Sequence, residues 1–154
     1  MLPPEIMTIL IAAAPIAEVR VSIPFAIHGL GLSPLSAYIF SVIGNVLPAF
    51  SIIVIGAVAN WLSHHVYLFN RFFAWLFERT RHNHHERVLH WQEFALLILV
   101  AIPLPLTGVW TASVVAFVFG IPFTRAFPFI VVGSMLTSLI MLILTLGVVQ
   151  FFTQ

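Results

Sequence analysis

Three stretches of this chain, residues 21–70, 94–124 and 126–154, contain no Asp, Glu, Lys or Arg. Each exceeds the roughly 20 residues that a helix needs to cross the hydrocarbon of a bilayer. Of the 154 residues, 61% are hydrophobic and 7% charged, against about a quarter charged in an ordinary soluble domain. Lipid offers no partner to a bare backbone N–H or C=O, so such a chain has to bond its backbone within helices. The predicted fold class is all-α integral membrane. At this length it forms one membrane domain whose immediate partner is the lipid bilayer, with homo-oligomerisation left open.

The same composition excludes several functions. The six basic residues form no sustained patch with interleaved stacking aromatics, so no nucleic-acid partner is expected. Cysteine is absent, which removes disulfides, thiol nucleophiles and thiolate metal sites. There is no Gly-rich phosphate loop, no Ser/His/Asp arrangement and no pair of neighbouring carboxylates. The chain is therefore not expected to be an enzyme, and no cofactor is expected. The apolar run Ile6 to Ala14 has no basic residue before it and Pro15 directly after it, so it reads as retained structure rather than a leader.

An offset of 89 pairs Gly31 with Gly120, Ala37 with Ala126, Phe40 with Phe129, Val42 with Val131, Gly44 with Gly133 and Leu47 with Leu136. Upstream of these matches each half has a short apolar segment, a proline-rich interruption and a second short segment ending at a glycine. The organisation predicted is a first repeat over 1–60, a connector over 61–93 and a second repeat over 94–154. The segments Glu5 to Ala14 and Phe94 to Ile102 are about half a span long. Pro15 and Pro24 in one copy, and Pro103 and Pro105 in the other, are expected to break helices where they fall. Each copy thus reads as a re-entrant helical hairpin followed by a full span, Leu32 to Trp61 and Pro122 to Phe152. Each copy makes an odd number of crossings, so the two have opposite orientation: an inverted repeat.

Arg71, Arg79, Arg81 and Arg87 lie in the connector and Arg125 follows the second hairpin, all on one predicted face. The positive-inside rule makes that face cytoplasmic, with both termini outside, in a multi-pass protein of a cell inner membrane or plasma membrane. Leu62, Val66, Phe69, Phe72, Phe73 and Leu76 recur at helical spacing, which predicts an amphipathic connector helix lying in the interface, the alternative being a plain extension of the preceding span. The histidine-rich RHNHHERVLH at 81–90 reads first as a solvated polar connector, with a pH-responsive or headgroup-contacting surface and an imidazole patch for zinc or nickel as alternatives; a metalloprotease is excluded, because the zincin pattern begun by His85 and Glu86 needs a histidine at 89, where Leu89 stands.

Within this oily sequence Glu18 and Arg20 are the only charges between Ile6 and Asn70. Intramembrane charges are costly, and they mark sites in a bundle interior or a wet cavity. Two residues apart on a regular helix they would point about 200° from each other, whereas unwound backbone lets them converge. Glu18 is the candidate group for a coupling proton or cation, and Arg20, a planar fork of donors, suits a carboxylate or phosphate on a substrate. The alternative is a mutually neutralised pair that pins the hairpin. In the second half, PLPLTGVWTAS at 103–113 supplies hydroxyls on Thr107, Thr111 and Ser113, accessible backbone at Gly108 and an indole N–H on Trp110. Asn45, with Gly44 before it and Pro48 shortly after, either serves the site directly or bonds an adjacent hairpin, and Pro48 should kink its helix.

PIAEVRVSIP at 15–24, GNVLP at 44–48, and PLPLTGVWT at 103–111 followed by Gly120, in this order and spacing, resemble the small multi-drug export protein family. The likeness runs over nearly the whole chain. The family usually has glycine between the second proline and the threonine, where this chain has Leu106. That family is similar in plan to the DedA-like membrane proteins, which are thought to use paired re-entrant hairpins and include lipid-phosphate translocases. The resemblance implies a transporter fold with Glu18, Arg20, Asn45, Pro103, Pro105, Thr107 and Gly108 as site residues.

The function expected is thus a small secondary transporter, proton-coupled, exporting small amphipathic or anionic compounds through a midplane site. Two alternatives stand beside it: translocation of a lipid phosphate, and a non-transporting membrane scaffold.

Overall fold

A computed structural model describes residues 2–65, 86–103 and 108–152. The described residues are helical and contain no strand. The connector helix expected over 62–77, most of the histidine-rich stretch, Pro105 and Thr107 lie wholly or largely outside what is described.

The helices start and stop where proline and glycine dictate. α1 (Pro4–Ala13) opens with proline at its first position and Glu5 in its first turn, where a missing N–H costs nothing and an acid suits the dipole. Its end is set by Pro15, which disfavours helical backbone in the residue before it; Ala14 is extended, at φ −71° and ψ 137°. After a turn over 14–17, α2 (Glu18–His28) returns and finishes before Gly31, whose φ is +68°. α3 (Pro34–Val46) is capped by Ser33, whose hydroxyl accepts from the backbone N–H of Ser36 at 3.2 Å. Pro48 then interrupts the helical ladder: a 3₁₀ turn over Leu47–Phe50 joins α3 to α4 (Ser51–His65).

In the second half, α5 (Glu86–Ala101) begins upstream of the expected Phe94, in the polar sequence of the connector. α6 (Val109–Val118) follows the second break and ends before Gly120, at φ +69°. α7 (Phe123–Phe152) is a single helix of 30 residues. Among the described residues, Pro34–Gly56 and Phe123–Gly147 are by length and composition the two segments able to cross a membrane, while Pro4–Ala13 and Val109–Val118 are apolar but shorter.

Pro24, like the start of α5, departs from expectation: it does not break the chain but sits inside α2. Its missing N–H leaves the carbonyl one turn back without its usual partner, and packed neighbours can make good such a loss in membrane helices.

α3 and α7 pack directly and run antiparallel. Asn45 meets Ser134 at 2.9 Å, whereas Phe50, further along the chain from Asn45, meets Phe127 and Phe123, further back in α7, with ring centroids 5.6 and 5.5 Å apart. α1 lies on α3 and α5 lies on α7. α2 packs on α3 and α7, while α6 packs against the 3₁₀ turn, α4 and α7. The second legs of the two hairpins therefore occupy successive levels along the span Pro34 to Gly56.

Polarity is inverted relative to a water-soluble core. Thr8, Ser22, Ser41, Asn45, Ser113, Ser134 and Ser138 are buried, while Leu10, Leu35, Ile39, Ile43, Phe94 and Ile98 are exposed. Small and polar residues inside with large apolar ones outside is the packing expected in lipid, where helices gain from close approach and hydrogen bonds rather than from expelling oil.

Two glycines set that approach. A Cβ on Gly44 would overlap the Ile9 carbonyl and come 2.7 Å from Ala12 Cβ, and one on Gly133 would lie 2.8 Å from Val100 Cβ and 3.0 Å from the Leu97 carbonyl. Backbone cannot rotate away, so Gly44→Ala and Gly133→Ala should each destabilise the protein by about 1–3 kcal/mol. A methyl added at Gly56 or Gly147 would meet nothing within 4 Å, and alanine there should be neutral or stabilising by about 0.5–1 kcal/mol. Thermal unfolding in detergent separates the two sets.

Candidate functional site

The candidate site lies where the turn before α2 meets Gly108, at the start of α6. Glu18, 5% exposed, opens α2 with φ +46°, a left-handed conformation unusual for a residue other than glycine. That backbone resolves the geometric difficulty of a charge pair two residues apart. The turn into α2 swings the carboxylate round, and Arg20 Nη2 donates to Glu18 Oε2 at 3.3 Å. Left-handed backbone at a non-glycine residue costs on the order of 1–2 kcal/mol, and such conformations concentrate at functional positions.

Gly108 approaches the carboxylate with its backbone. A Cβ on Gly108 would overlap both carboxylate oxygens of Glu18, so the absence of a side chain at 108 is what admits the carboxylate. Gly108 itself has φ +151° and is buried at the start of α6. Two residues on, the Trp110 indole N–H donates to the Ala13 carbonyl at 3.0 Å, taking up an acceptor that the end of α1 leaves without an intrahelical donor. The contact ties the first leg of one hairpin to the second leg of the other. Thr111 is half-buried in the same turn, and Ser113 donates to the Val109 carbonyl at 2.7 Å, with the Pro48 carbonyl 3.5 Å away. Pro103 is half-buried just beyond the end of α5.

Asn45 is 2% exposed, and its Nδ2 donates to Ser134 Oγ at 2.9 Å. Its partner is thus the opposing long helix α7, neither the charge pair nor a hairpin, because the antiparallel crossing of α3 and α7 brings Ser134 face to face with it. Ser22 donates to Ser41 at 2.7 Å, joining α2 to α3. On neighbouring helices that run in opposite directions, one turn from Ser22 is Glu18 and one turn from Ser41 is Asn45, so the amide lies level with the charge pair.

Ser22, Ser41, Ser134 and Ser138 do not stand out as candidates in the sequence. The signal it offers is the spacing of four between Ser41 and Asn45 and between Ser134 and Ser138, which puts each pair on one helix face. Among the described residues, no three His, Cys, Asp or Glu side chains gather as a metal site would require.

The model of the small multi-drug export protein family matches residues 18–140. The chain belongs to the small multi-drug export protein family. The match starts at Glu18 and takes in Arg20, Asn45, Gly108 and Ser134. No curated protein and no solved structure matches the chain. Family membership, the two long apolar helices and the inverted polarity together make this a membrane protein.

Proposed function

We propose that this small multi-drug export protein is a proton-coupled secondary transporter, not an enzyme, that exports small amphipathic or anionic compounds. Its site lies where two re-entrant hairpins meet near the bilayer midplane. The observation that carries the proposal is the buried Glu18 carboxylate, paired with Arg20 and held against the backbone of Gly108 at the meeting of two helix breaks. Glu18 takes and releases the coupling proton. When it is protonated, Arg20 loses its anionic partner and becomes available to an anionic group on the substrate.

The inverted repeat in this reading draws on matched burial. In α2 the buried residues are Glu18, Val19, Ser22, Ile23 and Ala26; in α6, counted from Gly108, Val109, Ala112, Ser113 and Ala116 recur at the same intervals. In α3 they are Ala37, Ser41, Gly44 and Asn45, and at an offset of 89, Ala126, Ile130, Gly133 and Ser134 of α7 are buried too. Asn45 and Ser134, 89 residues apart, bond each other, which supports an inverted repeat whose two-fold axis passes between them. Short, proline-interrupted segments at corresponding places in two halves are the pattern from which alternating access is built. In this reading the connector is cytoplasmic, both termini are outside, and the membrane is a cell inner or plasma membrane.

The test is reconstitution into liposomes with an imposed pH gradient. Carboxyfluorescein serves as anionic probe, ethidium as cationic probe, and a short-chain fluorescent phosphatidic acid as the lipid-phosphate probe of the DedA-like alternative. Gradient-driven movement of a soluble probe, with proton movement in the opposite direction, is the expected result. Movement of the lipid probe alone assigns the site to a lipid phosphate, and movement of none supports a scaffold.

A further inference from the structure

The tie between the hairpins made by Trp110 on the Ala13 carbonyl has a counterpart position in the other half of the chain. Trp110 stands two residues after Gly108, which touches the Glu18 carboxylate, and Arg20 stands two residues after Glu18. The buried residues around them agree with that register, since Val19 and Ser22 of α2 answer to Val109 and Ala112 of α6. Arg20 and Trp110 are both half-buried, and both carry N–H donors far out on a long side chain.

The acceptor has a counterpart as well. A Cβ on Gly44 would strike α1 at Ile9 and Ala12, and one on Gly133 would strike α5 at Leu97 and Val100. Ile9 and Leu97, like Ala12 and Val100, are 88 residues apart. At that spacing Ala13 answers to Ala101, and these two residues are the last of α1 and α5. The final carbonyls of a helix have no donor within it, and the dipole favours a cation there. In α1 the Ile11 carbonyl takes the Ala14 N–H and the Ala13 carbonyl takes the indole. In α5 the Ile98 carbonyl takes the Ile102 N–H and the Val100 carbonyl takes the Thr137 hydroxyl, so the Ala101 carbonyl stands in the place of Ala13.

We infer that Arg20 and Trp110 are matching tethers, each holding the carbonyl end of the first leg of the opposite hairpin: Trp110 on Ala13 of α1, and Arg20 on Ala101 of α5. The two differ in chemistry. The indole has one N–H and no charge, whereas the guanidinium has five N–H donors and already gives one to Glu18 at 3.3 Å. The state of Glu18 therefore acts on the α5 tether and not on the α1 tether. A carboxylate draws the guanidinium away from Ala101, and a neutral carboxyl releases it to the carbonyl, with donors to spare for a substrate anion. This consequence rests on the proton-coupled reading of Glu18 and gives proton uptake a one-sided effect, a firmer hold on α5 alone. The tethers themselves hold in a transporter and a scaffold alike.

Hydrogen exchange, read by mass spectrometry on the full-length protein in liposomes, tests the assignment. Arg20→Met is made in a Glu18→Gln background, so that no carboxylate is left unpaired, and is compared with Glu18→Gln alone. It should speed exchange of the backbone amides at 98–102 at least fivefold and of those at 10–14 less than twofold. Trp110→Phe, compared with the native chain, should do the reverse. A general loosening raises both regions together, so equal rises, a rise in the unmatched region, or no change overturns the tethers. Glu18→Gln alone, which leaves both tethers in place, should slow exchange at 98–102 at least twofold and leave 10–14 unchanged. Exchange at 98–102 that is unchanged or faster, or slowing of both regions alike, overturns the one-sided effect. Gradient-driven flux that survives Glu18→Gln overturns proton coupling and leaves the tethers standing.

Discussion

Glu18→Gln should reduce pH-driven flux to the level of empty liposomes while leaving the protein folded. The amide keeps the size of the carboxyl and an oxygen that can accept from Arg20, so the hydrogen bond of 3.3 Å has a neutral counterpart. It cannot exchange a proton. Arg20 is only partly buried, at 23% side-chain exposure, and keeps an acceptor in the amide oxygen, so a change of about 1 kcal/mol in unfolding free energy is expected. The measurement is flux and thermal unfolding on the same preparation. A scaffold shows the opposite pattern, with stability or assembly lost and no flux to lose.

The second large effect belongs to Gly108→Ala. Its methyl would occupy the space of both Glu18 carboxylate oxygens, and alanine at φ +151° is strained besides. We expect coupled flux to fall at least tenfold and stability to drop by about 1–3 kcal/mol. The cause is distinguishable from a general backbone effect by a double-mutant cycle, because residues in contact do not add. In a Glu18→Ala background the methyl at 108 meets no carboxylate, so most of the stability cost should disappear and only the φ strain should remain. Full additivity of the two substitutions would mean that Glu18 and Gly108 do not touch in the membrane.

Much of the fold was legible because proline acts locally. Pro15 ends α1, Pro48 introduces the 3₁₀ turn, and Pro4 and Pro34 open helices, each through a missing donor or a restricted neighbour. The glycines at 31 and 120 were legible as segment ends for the same reason, and both take positive φ. Pro24 misled because its cost depends on what packs around the freed carbonyl, which no local rule contains. Helix faces were harder to read. In a chain apolar all round, hydrophobic periodicity does not say which side is inside, and the signal that does, small polar residues at a spacing of four, is weak in any one helix. The α5 boundary was missed for a related reason: its first turns lie in polar sequence, where no span criterion applies.

The residues of the candidate site stand out in the sequence, and their contacts do not. Glu18 and Arg20 stand out by charge alone, and Gly108 and Trp110 by lying at a break. Their joining depends on a left-handed residue at 18 and on a glycine from the other half of the chain, both products of tertiary approach. Asn45 shows the same limit. That a buried amide needs a partner follows from its chemistry, but that the partner is Ser134 follows only from the antiparallel crossing of α3 and α7.

The two hairpins are expected to enter the membrane from opposite faces and to meet at Glu18 and Gly108. Leu35 and Thr124 are exposed, matched positions beside the two hairpin exits. Leu35→Cys and Thr124→Cys, made singly in the cysteine-free chain and treated with a membrane-impermeant maleimide in oriented vesicles, test it most directly. The inverted arrangement predicts that each cysteine is labelled from one side only and that the two sides are opposite. Labelling of both from the same side would contradict it.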